Sequence, residues 1–392
     1  MDGRFFSEKN SEGKFMNAIL SGIKNKLVKN LSNIPGWRTN DKLVVFFVDD
    51  WGSIRIKDQL ARQILNKKGV NCETNRFDRF DSIASSEDLS LLFELLSSFR
   101  DRNGKKPSFT AIAVMANPDF KKIKEAGFKE YFYEPLNLTL ERYENKENLL
   151  KLWAAGREEG IFFPQYHGRE HINVGLWMQG LAVGDNNLIA AFENESLGIP
   201  STIPSGYLNS YLGAFDLISK SHLDGLIGIC NDGINLFRHI FGETPYLFTS
   251  PSLIHPYALE KAVSSEVKFI DRAKMTYEPV GDAKYKRRLH YLAEKNESDQ
   301  VYITRNCSFE PNMYNNQDSV DITLSDIENS FRWGKPALIS SHRVNFVSGH
   351  SLKNRENGLK NLQILLRKIL AKWPEVEFLT FREFSERVLH SR

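Results

Sequence analysis

The 392-residue chain has only three cysteines, Cys72, Cys230 and Cys307, far apart and with no C-x-x-C pair among them. That excludes a disulfide scaffold and the usual zinc-ribbon and dithiol redox spacings. It also lacks any run of 18 apolar residues, so no transmembrane helix is expected. Near the N-terminus, KFMNAILSGIKNK is interrupted by Asn17, Ser21, Gly22 and Lys24 and has no continuous signal-peptide core, so the expected location is cytoplasmic. An excess of one charge is missing too. With 52 basic and 49 acidic residues, the net charge of +3 is too small and too dispersed to make nucleic acid or an anionic membrane the main partner. A neutral or weakly charged substrate is the expectation. Internal repeats and low-complexity segments are absent as well.

What is present suits a folded globular protein, with 41% hydrophobic and 26% charged residues. The length exceeds the usual single domain, but barrels with inserted loops reach it, so one decorated domain is expected. Phe15, Ile19, Ile23, Leu27 and Leu31 recur at four-residue steps, the pattern of an amphipathic helix. Residues 1–40 therefore read as a helical extension packed on the domain formed by 41–392. Short buried-strand patterns recur at 42–48, 108–114, 161–166, 245–250, 267–271, 300–305, 336–341 and 376–381. Helix-period segments separate them, such as SSEDLSLLFELLSSFR with Ser85 and Asp88 spaced as a capping box. Such alternation predicts a parallel sheet, and seven or eight units favour an α/β barrel with insertions near 51–107 and 180–244.

In a parallel barrel the chemistry sits where strands end. The first run ends in Asp49-Asp50-Trp51. The third runs into HGREH, which places His167 and His171 four apart; on a helical turn both imidazoles would reach one ion. Two histidines and a carboxylate from a neighbouring strand end form a metal set with open positions. Another strand pattern ends in Ser341-His342-Arg343, with Asn345 beyond, and His342 is a candidate general acid. Arg305 and Asn306 end the 300–305 run and are candidate substrate-binding residues.

These motifs resemble the polysaccharide deacetylases, carbohydrate esterase family four and its relatives. That family adopts a distorted (β/α) barrel, and its motifs are a paired Asp, H-[ST]-x-x-H and a late strand ending in His. FVDDW, HGREH and LISSH are similar in the same order, and the likeness in architecture spans roughly residues 42–385. SHRVNF and RNCSFEP look like segments of a bacterial polysaccharide (de)acetylase-like subgroup. The resemblance implies Asp49 as general base, Asp50, His167 and His171 as ligands of a divalent metal, zinc above all, and His342 as acid. It further implies a saccharide substrate losing an N- or O-linked acetyl group. Trp51 would stack on a sugar ring, and Arg305, Asn306, Arg343 and Asn345 would contact substrate.

The chain departs from the family pattern at three places. Gly168 stands where Ser or Thr is usual and Trp51 where Gly follows the Asp pair. FTSPSLIHP keeps Pro251 but not the family's base-orienting Arg, for which Arg169, Arg305 and Arg343 are the available substitutes. Three other readings stay open. One is an inactive carbohydrate-binding barrel; another is a glycosidase, which would need carboxylates flanking the bond. The third is an H-x-x-E-H metallopeptidase using Glu170, with Glu243 as the available extra ligand. Adjacent Asp49 and Asp50 point to opposite faces if the strand continues through them, which favours one ligand and one base.

Overall fold

The computed structural model describes residues 30–143, 149–199, 206–313 and 316–390. The helical pattern of 14–31 lies almost wholly outside them. Thirteen strands follow in order: β1 (Leu43–Trp51), β2 (Phe109–Val114), β3 (Ala116–Pro118), β4 (Tyr133–Pro135), β5 (Phe162–Gly168), β6 (Leu247–Phe248), β7 (Phe269–Asp271), β8 (Met275–Gly281), β9 (Lys284–Leu289), β10 (Val301–Ile303), β11 (Cys307–Ser308), β12 (Ala337–His342) and β13 (Glu377–Phe378). All eight segments read as strands contain one, several of them shorter than expected. The main sheet runs β10-β7-β6-β5-β2-β1-β12-β11, and every pairing in it is parallel. β13 pairs with the foot of β1. Only residues 304–306 separate β10 from β11, so one stretch of chain pairs with β7 at its start and β12 at its end. The sheet thereby curls into a seven-staved (β/α) barrel.

The strands are rich in Val, Ile and Phe because both faces are covered, and all nine residues of β1 are buried. Leu43, Val45, Phe47, Ile112, Leu247, Phe269, Val301, Ile303 and Leu338 fill the barrel, while Val44, Phe46, Val48, Phe248, Ile270 and Ile339 face the helices outside. The helix Ser86–Ser97 starts at the expected capping box, with Ser85 and Asp88 bonded reciprocally. The insertion after β1 carries the helices Gln59–Lys67 and Arg76–Phe80, and the one after β5 carries Val174–Ala182, Asn186–Glu193 and Leu223–Phe241. Two antiparallel strand pairs, β3-β4 and the hairpin β8-β9, stand outside the barrel and were not legible as such. No helix among the described residues is long and apolar enough to cross a membrane.

Candidate active site

The inward-facing parity of each stave continues past its last apolar residue. Counting on by twos from Phe47, Leu247, Phe269, Ile303 and Leu338 reaches Asp49, Thr249, Asp271, Arg305 and His342. These side chains, joined by His167 from the end of β5, form a polar layer at the C-terminal mouth of the barrel. Above it lies a cavity of about 370 Å³, lined among others by Asp49, Asp50, Phe77, His167, His171, Arg305 and His342. A larger groove of about 930 Å³ sits at the opposite end, near Gly160, Phe163 and Phe378. Its margins carry the ion pairs Lys106–Glu159 and Arg157–Glu243, and among the described residues it holds no convergent set of metal-ligand side chains.

Strict alternation would turn Asp50 outward, away from Asp49. Instead β1 bulges, with two residues, Asp49 and Asp50, set against Ile112 alone on β2, and Asp50 adopts φ 75°. Both carboxylates therefore face the same cavity, which corrects the expected opposite-face arrangement. The same bulge returns Trp51 to the outward parity. Its ring is buried against Phe162 at 4.9 Å and Trp153 at 6.3 Å, so it is a core residue and offers no face to a sugar.

The two histidines do not share a helical turn either. His167 is the last residue but one of β5, and the following helix begins only at Val174, capped by Asn173. Gly168 bends the chain between them at φ 122°, a conformation L side chains rarely adopt, which accounts for the absence of Ser or Thr there. The result still joins both rings to Asp50, whose Oδ1 lies 3.3 Å from Nε2 of His167 and 3.1 Å from Nε2 of His171. Nδ1 of His167 donates to the Thr249 carbonyl at 2.7 Å, which leaves Nε2 as the lone-pair atom. A lone pair and a carboxylate aimed at each other need a cation or a proton between them. These three residues are the metal-capable group among the described residues, with donor atoms within 4.8 Å of one another. Burial raises the Asp50 pKa, but the imidazoles beside it, His167 and His171 with His342 farther off, outweigh it and hold the carboxyl well below the usual range. The donor set fits a divalent ion.

On one side of this trio, Arg305 grips Asp49 with both ends of its fork, Nη1 to Oδ2 at 2.7 Å and Nη2 to Oδ1 at 2.8 Å. Nε of the same guanidinium donates to Asp271 at 2.7 Å, and the cation lies over the Phe47 ring. Arg305 thus faces the cavity as a clamp on Asp49. Burial pushes the Asp271 carboxyl up to about 6 despite Arg305. On another side, Nδ1 of His342 is 2.5 Å from Glu310, and its Nε2 is 4.0 Å from Asp49. Burial alone would lower the His342 pKa, but Glu310, helped by Asp50 and Asp49, raises it to about 9. The contact with Glu310 thus favours the imidazolium form.

Three further candidates are built into the fold and do not meet the cavity. Asn306 stitches β11 to β12, donating to the Pro336 carbonyl and accepting from the Leu338 amide. Arg343 is fully buried in a two-pronged pair with Asp81. Asn345 is buried and donates to Glu310, to the Ser341 hydroxyl and to the His342 carbonyl. Glu170 is taken up by Arg169 and the Tyr131 hydroxyl, and Glu243 pairs with Arg157 at the far groove, so the H-x-x-E-H peptidase geometry is absent. Sequence reasoning missed Glu310 and Asp271. Asp271 ends a run already read as a strand, and the strand-end rule could have found it; Glu310 stands two residues past β11 with no such signal.

No protein-family model and no curated protein sequence matches the chain. Among solved structures, it is similar to a putative polysaccharide deacetylase from Mycobacterium smegmatis, with 10% identity, 91% of this chain and 93% of the other covered, and a TM-score of 0.47. A probable polysaccharide deacetylase from Pseudomonas aeruginosa matches at 11% identity, 90% and 92% coverage and a TM-score of 0.45. A GH57 branching enzyme from Thermococcus kodakaraensis matches at 10% identity, 89% and 71% coverage and a TM-score of 0.45. At such distances the likeness assigns no chemistry, and the reading of the site rests on its own side chains.

Proposed function

We propose that the protein is a metal-dependent hydrolase that removes acetyl groups, N- or O-linked, from a saccharide. One observation carries the reading: a two-histidine, one-carboxylate trio shares the mouth of one barrel with a carboxylate clamped by Arg305 and an imidazole bonded to Glu310. Asp50, His167 and His171 would hold the divalent ion, zinc by preference. Such an ion supplies Lewis acidity, polarising a carbonyl and lowering the pKa of water from about 16 to near 7. Asp49, kept in place by Arg305, takes a proton from the attacking water, and Arg305 keeps the resulting carboxyl oriented. His342 carries its proton on the face toward the cavity because Glu310 occupies Nδ1, and it delivers that proton to the departing amine or alcohol.

The saccharide comes from the motif resemblance. The inactive-barrel alternative drew its strength from the missing motif arginine, and Arg305 on Asp49 answers that absence. The test is zinc titration of the purified protein and of Asp50→Ala and His167→Ala, followed by acetate release from acetylated sugars. One equivalent bound by the wild type and lost in both folded variants, with acetate release that needs the ion, is the expected result. Absence of specific metal binding in the wild type would return the histidines to a structural role and favour a binding barrel.

A further inference from the structure

Five residues after Asp50, the guanidinium of Arg55 reaches the same cavity and does nothing in the chemistry above. Its side chain is held by its Nε–Asp78 bond at 2.7 Å, its Nη2–Gly198 carbonyl bond at 3.1 Å and the Phe77 ring 5.5 Å below. Gly198 is shaped to it: a Cβ there would stand 1.8 Å from Nε of Arg55. The arginine is nine-tenths buried, yet Nη1 has no acceptor among the described residues and is not sealed away from the cavity. By contrast, Arg305 on the same wall spends all three nitrogens on Asp49, Asp271 and Ser340. Asn75 and Asn209 also line the cavity, and their side-chain amide N–H groups lack acceptors among the described residues. Arg55 thus offers an unspent donor in the cavity that holds the two histidines and Asp50.

We infer that Arg55, in the cavity that Asn75 and Asn209 also line, is a subsite for an anionic oxygen group of the substrate, so that the saccharide is an acidic one bearing a carboxylate or a phosphate near the acylated position. This rests on the proposed function. A rigidly held guanidinium edge pairs best with a planar or multidentate oxyanion.

The experiment measures binding to the full-length zinc-loaded protein of neutral N-acetylglucosamine and two acidic counterparts, its 6-phosphate and N-acetylmuramic acid. The expected result is tighter binding of at least one acidic sugar by about tenfold, the range of one charge-assisted hydrogen bond. Arg55→Met should erase that difference, and Arg55→Lys should restore part of it, with zinc affinity unchanged. Which acidic sugar wins distinguishes carboxylate from phosphate. Equal affinity of the wild type for neutral and acidic sugars overturns the inference without any variant having to fold, as does a preference that survives Arg55→Met. If the zinc-loaded protein deacetylates neutral sugars as well as acidic ones, only this inference falls; if it binds neither class, the proposed function falls with it.

Discussion

A single carboxylate, Glu310, governs the charge of His342, the proposed acid. Glu310 accepts from His342, Arg76 and Asn345 at once, so it stays ionised and keeps the imidazole charged. Because the folded-state pKa of His342 lies above its unfolded value of about 6.5, its contribution to stability is complete below that pH. It is lost as pH rises through about 9. The same titration should form the alkaline limb of the pH–rate profile, since a deprotonated His342 cannot serve the leaving group. Glu310→Gln keeps the shape and removes the charge. We expect the alkaline limb of kcat/KM to move to lower pH in that variant, while the rate under mildly acidic conditions stays near wild type. A profile that did not move would mean that another group donates the proton.

The elements that build the metal trio are irregular, and their irregularities are what sequence periodicity misses. Strand runs from Leu43 to Phe378 were legible because buried parallel strands are written in β-branched and aromatic residues. Asp49, Asp50, His167, His171, Arg305 and His342 could be singled out because strand ends mark the working face of a barrel, and all six line the cavity. Two features were hidden. The bulge at Asp50 shifts parity by one residue, turning a carboxylate inward and Trp51 outward. The bend at Gly168 lets His171 come back from a loop. Neither backbone turn has a period to detect. Gly168→Ala tests the second feature, since its Cβ would sit 3.1 Å from Phe215 on a backbone that disfavours it. A strain of about 1 to 3 kcal/mol is expected, and part of it should appear as weaker zinc binding, because relaxing the bend moves His171. Unchanged zinc affinity in a folded variant would show that the bend does not place the ligand.

At the scale of the whole molecule, the barrel closes through the stretch Val301–Ser308, which leaves β7 and joins β12 within a few residues. Arg305 stands in the middle of that crossing, held to β7 through Asp271 and to β1 through Asp49. Its role was illegible in the sequence because a strand-end arginine looks the same whether it meets substrate or a neighbouring carboxylate. Arg305→Lys keeps the charge but not the fork. We expect kcat to fall by about a hundredfold, the cost of a base displaced on the ångström scale, with zinc affinity and secondary structure unchanged. Zinc affinity falling in step with kcat would instead make Arg305 a support of the metal trio.

The crossing also makes the polar layer depend on closure. The first and fifth staves come from distant parts of the chain, and the guanidinium that ties Asp49 to Asp271 can do so only once the ring is shut. Opening the ring at that one seam would release both carboxylates together.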